Sequence, residues 1–295
     1  MIDTDVNNRV GVLGATSLVG KCLLPLLAQE SWRVTAYSRR VVRQNGDEVR
    51  WQQLSPSIPL PPQGGSGMSH WICVAPIWVL PEHFALLEAH AARSVVVLSS
   101  TSRFTKDDSS DPEEQAMACR LAEAEARVQA WAEKHGVEWV ILRPTLIYGL
   151  GRDKNITEIA RFIRHFGFFP LFGKANGLRQ PIHAQDVAEA CLAALRAPGA
   201  ANRAYNLSGG ETLAYRDMVA RVFAALGRPP RLLPVPLSAF RLTVALLRCL
   251  PRYRHWTAAM VERMNRDLVF DHGEATRDLG FQPRGFALSA QDLMT

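Results

Sequence analysis

Between residues 10 and 20 the chain reads VGVLGATSLVG, an apolar run that ends in a glycine-rich turn and continues into a helix-like stretch. A strand passing through such a turn into a helix presents unpaired backbone N–H groups at the helix N-terminus. The helix dipole also favours negative charge there, so a pyrophosphate fits. Gly11, Gly14 and Gly20 are placed to supply the tight turn, the close backbone approach and the close helix–strand packing of a dinucleotide site. Ser17 stands where a further glycine is usual, adding a Cβ near the phosphates and a hydroxyl that offers one hydrogen bond back. An acidic residue roughly 20 residues after the turn would hold a ribose 2′-hydroxyl and favour NAD. No Asp or Glu lies between Ser31 and Gln44; Ser38, Arg39, Arg40 and Arg43 stand there instead. Arginine pairs well with a phosphate dianion, so the 2′-phosphate of NADP(H) is a better fit than the bare ribose of NAD(H).

These residues need a scaffold, and the first half of the chain alternates strand-like and helix-like stretches. RVGVLGA, RVTAYSR, EVRWQQL, SHWICVAP, SVVVLSSTS and VEWVILRP read as strands. Between them, SLVGKCLLPLLAQE reads as a helix kinked at Pro25, and LPEHFALLEAHAAR as a helix opened by a proline. DPEEQAMACRLAEAEARVQAWAEKHG reads as a long helix with Asp111 as N-cap, Pro112 at its first position and Gly136 at its end. SPSIPLPPQGGSG reads as a loop. The alternation predicts an α/β protein: a Rossmann-type, doubly wound parallel sheet with a smaller C-terminal substrate lobe. The expected dinucleotide-binding domain is 1–149, with 179–208 returning to it. The lobe is 150–178 and 209–295.

Further segments resemble one known family in its own order. GATSLVG looks like the glycine turn of the short-chain dehydrogenase/reductase superfamily, in its extended or atypical, NAD-dependent epimerase/dehydratase-like branch. VVVLSSTS resembles the strand that ends in that family's catalytic Ser/Thr. VILRPTLIYG resembles its RPxxxYG segment, and LRQPIHAQDVAEA its R-x-x-x-H-V-x-D-V-A segment. RAYNLSGGE and LGFQPRG resemble the opening and closing motifs of its C-terminal lobe. The resemblance implies a cofactor site drawn from Gly11, Gly14, Thr16, Ser17, Leu18, Val19, Gly20, Ser38, Arg39, Arg40, Ala75, Pro76, Ser99, Ser100, Arg143 and Pro144. It implies a catalytic Thr101 and substrate contacts from Tyr148, Arg179 and His183, with no metal. It also implies a Tyr-x-x-x-Lys pair on the long helix, in which the lysine lowers the tyrosine pKa for proton transfer. Anchored on Glu125 and Gly136, those two positions hold Met117 and Leu121, and no tyrosine occurs between Tyr37 and Tyr148.

Two readings stay open. One is an NAD(P)(H)-dependent oxidoreductase or epimerase acting on a small substrate, phosphorylated or nucleotide-sugar-like. The other is a catalytically inactive NADP(H)-binding regulatory or accessory protein, because the pair is missing. Length and composition, 295 residues at 47% hydrophobic, are ample for a large core. Cys22, Cys73, Cys119, Cys191 and Cys249 are scattered and never spaced as CxxC, as expected of small buried hydrophobes in a reducing cytoplasm. The polar start is not that of a signal peptide. The net charge of +6 is concentrated between Arg216 and Arg266. That suggests an anionic partner, although nothing resembles a nucleic-acid-reading motif. Residues 231–256 are too apolar for a free loop and too charged to span a bilayer. They are expected to form an arginine-rich flap that covers the cleft or touches a membrane surface or protein. A homodimer is common in the family resembled.

Overall fold

The run at residues 10–13 forms the core of a first strand, β1 (Arg9–Leu13), because apolar side chains cover both its faces. Val10 and Val12 lie in one buried cluster and Leu13 in another, on opposite sides of a sheet. A computed structural model of the chain describes residues 8–42, 49–54, 67–107, 109, 111–236 and 263–294. In it, strands β2 (Arg33–Ser38), β3 (Val49–Gln53), β4 (His70–Cys73), β5 (Ser94–Leu98) and β6 (Glu138–Pro144) follow β1, and a later strand, β11 (Arg203–Leu207), returns to the same sheet. All pairings are parallel, in the order β11-β6-β5-β4-β1-β2-β3. The chain runs outward from β1 to β3, then crosses back to lay β4 on β1's other side. The strand order therefore reverses between β1 and β4, and a crevice opens there beyond the strands' carboxyl ends.

Helices cover both faces. Helices α1 (Leu18–Gln29) and α6 (Ala184–Arg196) pack over one, with Leu23, Leu27, Val187 and Cys191 in its core. Over the other lies α4 (Pro112–His135), which buries Leu121, Val128 and Trp131. As the sequence predicts, Asp111 caps α4 by accepting from the Glu113 amide (3.0 Å), and Gly136 ends it. The helix expected from Leu80 onward begins differently. A 3-10 turn at Ile77–His83 contains Pro81, and only α2 (Phe84–Ala89) is α-helical. Proline lacks the amide that an α-helical turn would need there.

Gly11 lies inside β1 and not in the glycine turn. A Cβ there would sit 2.5 Å from the ring of Trp71, which is fully buried and stacked on Tyr37. Its small size makes room for an indole, which corrects the reading of Gly11 as a phosphate-turn residue.

A second buried cluster forms beside the sheet. It is built on α5 (Ile156–Phe166), β8 (Phe169–Phe172) and α7 (Tyr215–Ala225), with Phe286 and Leu293 from the end of the chain. Of the expected flap, residues 232–235 form β13 (Leu232–Val235), paired in parallel with β8. Residues 237–256, with Arg241 and Arg248, lie outside the described residues, as do Arg43, Cys249 and most of the Pro/Gly-rich loop. Among the described residues no helix is long and apolar enough to cross a membrane.

Candidate functional site

A cavity of about 630 Å³ occupies the crevice between β1 and β4. Its walls come from segments far apart in sequence: Ser17–Val19, Val74–Pro76, Leu98–Ser102 and Pro144–Ile147 on the sheet side. Arg152–Asn155, Arg179, Tyr215 and residues from 263–270 face them from the second cluster's side.

The turn that begins the site is built on Gly14, whose φ of +80° lies in the left-handed region. A Cβ at Gly14 would overlap the Ala75 backbone nitrogen, so this turn lies directly against the end of β4. Ser17 is the N-cap of α1: its hydroxyl accepts from the Gly20 amide at 3.1 Å. The hydroxyl thus satisfies one of the helix's own first amides, and the cap replaces the phosphate bond expected of it. Leu18 and Val19 stand in the first helical turn and line the cavity. Gly20 fits close packing, since a Cβ there would be 2.5 Å from the Ala15 carbonyl. Thr16 opens onto an adjoining recess shared with Leu18, Arg152 and Arg161.

On the opposite wall, Ser99, Ser100 and Thr101 follow β5 into the cavity. Thr101 is buried, and its Oγ1 donates to the Pro144 carbonyl (3.2 Å). Ser100 Oγ accepts from the Ser102 amide (3.1 Å), at the start of a one-turn helix, α3 (Ser102–Thr105). Ser99 Oγ donates to Glu125 Oε1 (2.5 Å). Glu125 is wholly buried on α4 and is also held by Arg103 and by Arg143, whose Nη2 is 2.6 Å from Glu125 Oε2.

That arrangement corrects one expected cofactor contact: Arg143 is spent neutralising Glu125 and does not line the cavity. Tyr148 and His183 are corrected too. The Tyr148 side chain is fully buried, its hydroxyl donating to the Ala287 carbonyl (3.3 Å) and its ring set edge-on to His183 and Phe286. His183 caps α6 by accepting from the Gln185 amide (3.1 Å), and its Nε2 is 3.1 Å from Asp292 Oδ1. Arg179 does line the cavity, yet its guanidinium donates to the carbonyls of Leu178 (2.7 Å), Arg266 (2.8 Å) and Arg263. Its main task is to tie the 263–266 segment to β9 (Leu178–Arg179).

Leu121 is buried in the core beneath α4, and the partly buried Met117 packs against the same cluster. At the end of β2, Ser38 is buried and its Oγ accepts from the Arg40 amide (3.2 Å), while Arg39 and Arg40 are exposed. Asp186 is buried and accepts from Arg284 Nε (2.6 Å), a structural bond. Arg120 lies exposed, 4.3 Å over the Trp78 ring.

Lys106, Arg152, Lys154 and Arg263 line the cavity without having been expected there. Only Lys106 had a signal, its position five residues after Thr101. Arg263 enters from a distant segment and forms an ion pair with Glu114, to which no local pattern pointed.

Asp292 carries a pH-dependent part of the framework. Burial alone would raise its pKa. The bonds from His183, the Ser289 amide and hydroxyl, and the Leu150 amide outweigh this and hold its carboxyl well below the usual range. A depressed folded pKa stabilises above the unfolded value of about 4 and loses that contribution as pH falls through the folded value. Asp292→Asn is therefore expected to lower stability by about 1–2 kcal/mol at neutral pH. In urea titrations the gap to wild type should close progressively below about pH 4. An equal gap at both pH values would contradict this.

Residues 83–208 match the family model described as "NAD dependent epimerase/dehydratase family". The chain is 26% identical over 193 residues to a UDP-glucose 4-epimerase of Vibrio cholerae, covering 64% of this chain and 56% of that protein. It is 30% identical over 177 residues to a 2-alkyl-3-oxoalkanoate reductase of Stenotrophomonas maltophilia, covering 57% and 53%. The aligned stretch thus spans about half the length of either relative. Among solved structures, a UDP-glucuronic acid 4-epimerase from Bacillus cereus in complex with NAD superposes with a TM-score of 0.68. At 12% identity, it covers 96% of this chain and 95% of its own, a likeness of fold.

Proposed function

We propose that the chain, whose residues 83–208 match the NAD-dependent epimerase/dehydratase family model, is an oxidoreductase or epimerase of that kind that binds NADP(H) in preference to NAD(H). It acts on a small anionic substrate, phosphorylated or nucleotide-sugar-like. The observation that carries this reading is the cavity at the strand-order reversal. It joins the first turn of α1, Ala75–Pro76 and Ser99–Thr101 in one space of about 630 Å³. The left-handed Gly14 and the tight approach of its turn to Ala75 make the concave backbone that a pyrophosphate requires.

When bound there, a nicotinamide dinucleotide would supply or accept a hydride. Leu18 and Val19 offer first-turn amides to its phosphates, and Ala75, Pro76, Ser99 and Ser100 form the walls beside it. Thr101 orients the substrate oxygen. Lys106, Arg152, Lys154 and Arg263 make the substrate end of the cavity cationic, which favours an anionic ligand. Exposed Arg39 and Arg40 are free to turn onto a 2′-phosphate.

Replacing both Arg39 and Arg40 by alanine should weaken NADPH binding by about 2 kcal/mol, roughly 30-fold, and leave NADH binding nearly unchanged. Equal wild-type affinities for NADH and NADPH, measured by calorimetry, would contradict the preference.

The apolar packing of Met117 and Leu121, neither of which lines the cavity, favours a second reading, a dinucleotide-binding protein that catalyses nothing. Single-turnover experiments separate the two. Protein loaded with NADPH is mixed with a 2-alkyl-3-oxoalkanoate, and protein loaded with NAD+ with UDP-glucose. A change of nicotinamide absorbance in either supports the enzyme. Tight cofactor binding with no change in both supports the silent protein.

A further inference from the structure

The proposed chemistry needs a group that moves a proton, and α4 supplies none. Among the described residues lining the cavity, the ionisable side chains are Lys106, Arg152, Asp153, Lys154, Arg179, Tyr215 and Arg263. Arginines keep their protons. Asp153 is buried and consumed as a local anchor, accepting from the Asn155 amide (2.8 Å), the Thr157 amide (3.1 Å) and Thr157 Oγ1 (2.7 Å). Burial pushes the Tyr215 phenol up to about 12. Lys154 is exposed on the opposite wall.

Lys106 differs from all of these in place. It directly follows α3, so Thr101, Ser102, Thr105 and Lys106 line the cavity from one short stretch of chain. We propose that Lys106 is the proton donor and acceptor of this site, standing in for the absent tyrosine–lysine pair; the assignment rests on the hydride-transfer reading above.

In the reducing direction an N–H bond of the Lys106 ammonium breaks and its proton passes to the substrate's carbonyl oxygen. A reduced nicotinamide, when bound, would supply the hydride that the carbonyl carbon takes up. The products are an alcohol, the oxidised dinucleotide and a neutral amine that water reprotonates. The oxidising direction is the reverse.

The surroundings suit this task. Lys106 Nζ lies 3.8 Å from Glu114 Oε1, an ion pair too long for a direct hydrogen bond. Glu114 also accepts from Ser109 Oγ (2.9 Å) and pairs with Arg263, so its charge is shared. Burial and the nearby Arg263 lower the Lys106 pKa, with Asp111 opposing them in part. A lysine so placed gives up its proton more readily than an exposed one.

Two measurements test the role. The first needs neither cofactor nor variant: competitive acetylation across a pH series, read by mass spectrometry. Lys106 should become reactive at lower pH than the exposed Lys21, Lys134 and Lys174. Titration together with those lysines overturns the proposal. The second compares Lys106→Met, Lys106→Arg and the distant control Lys134→Met in single turnover with the two probes above. Lys106→Met should keep its melting temperature and cofactor affinity yet transfer hydride about 100-fold more slowly. Lys106→Arg should not rescue it, and the pH dependence seen in wild type should be lost. Rescue by arginine, or an unchanged rate and pH profile in Lys106→Met, overturns the proton role and leaves the enzymatic reading intact. Wild-type protein that binds dinucleotide but turns over neither probe overturns both, whatever the acetylation result.

Discussion

Gly14→Val is expected to abolish dinucleotide binding and to cost about 3 kcal/mol or more of stability. Two penalties act together. A φ of +80° is poorly tolerated by any L-residue and worst by a β-branched one. The added Cβ would also overlap the Ala75 backbone nitrogen and lie 2.8 Å from both Ala75 Cα and the Val74 carbonyl carbon. Those are backbone atoms at the end of β4, so no side-chain rotation relieves the contact. The turn must lift away from β4, taking the start of α1 with it. Ser17→Gly, which removes only a capping hydroxyl, should cost a few tenths of a kcal/mol. Urea melts and NADPH titration check both. A Gly14→Val protein with wild-type midpoint and affinity would place the dinucleotide elsewhere.

Removing the Glu125 carboxylate should be the most damaging change outside the glycine turn. Glu125 is completely buried, and its oxygens receive Arg143 Nε (3.1 Å) and Nη2 (2.6 Å), Arg103 and Ser99 Oγ (2.5 Å). Glu125→Ala leaves Arg143, itself only slightly exposed, without its counter-charge; stranding one partner of a buried pair costs about 3–5 kcal/mol. For a chain of this size that is a fall in melting temperature of ~10 °C. The site feels it directly, because Ser99 begins the Ser99–Thr101 wall and loses its anchor. Arg143→Ala should cost a similar amount, and the double variant less than the sum of the two, the sign of a coupled pair. A loss below about 1 kcal/mol for Glu125→Ala would show that the pair is not a keystone.

Much of the architecture is legible in the sequence for a physical reason. Strands buried on both faces must be apolar along their length, so VGVL, VVVL and WVIL stand out as strands from residue type alone. The long helix also declares both ends locally, through Asp111–Pro112 and Gly136. What sequence alone does not yield are partnerships between distant residues. Gly11 answers to Trp71, and His183 to Asp292. Tyr148 answers to Ala287. Arg143 looks like a cleft residue until Glu125, on a different element, is seen to claim it. Lys106 is the exception: it stands five residues after Thr101, and the single turn of α3 between them brings both to the same cavity.

The proposed chemistry depends on a nicotinamide dinucleotide occupying the cavity between β1 and β4, and isothermal titration of NADPH into the wild-type protein is the sharpest test of that occupancy. Saturable binding to one site per chain is expected, lost in Gly14→Val and weakened roughly 30-fold when Arg39 and Arg40 are both alanine. Absence of binding by both NADPH and NADH, or binding indifferent to the Gly14 substitution, would contradict it.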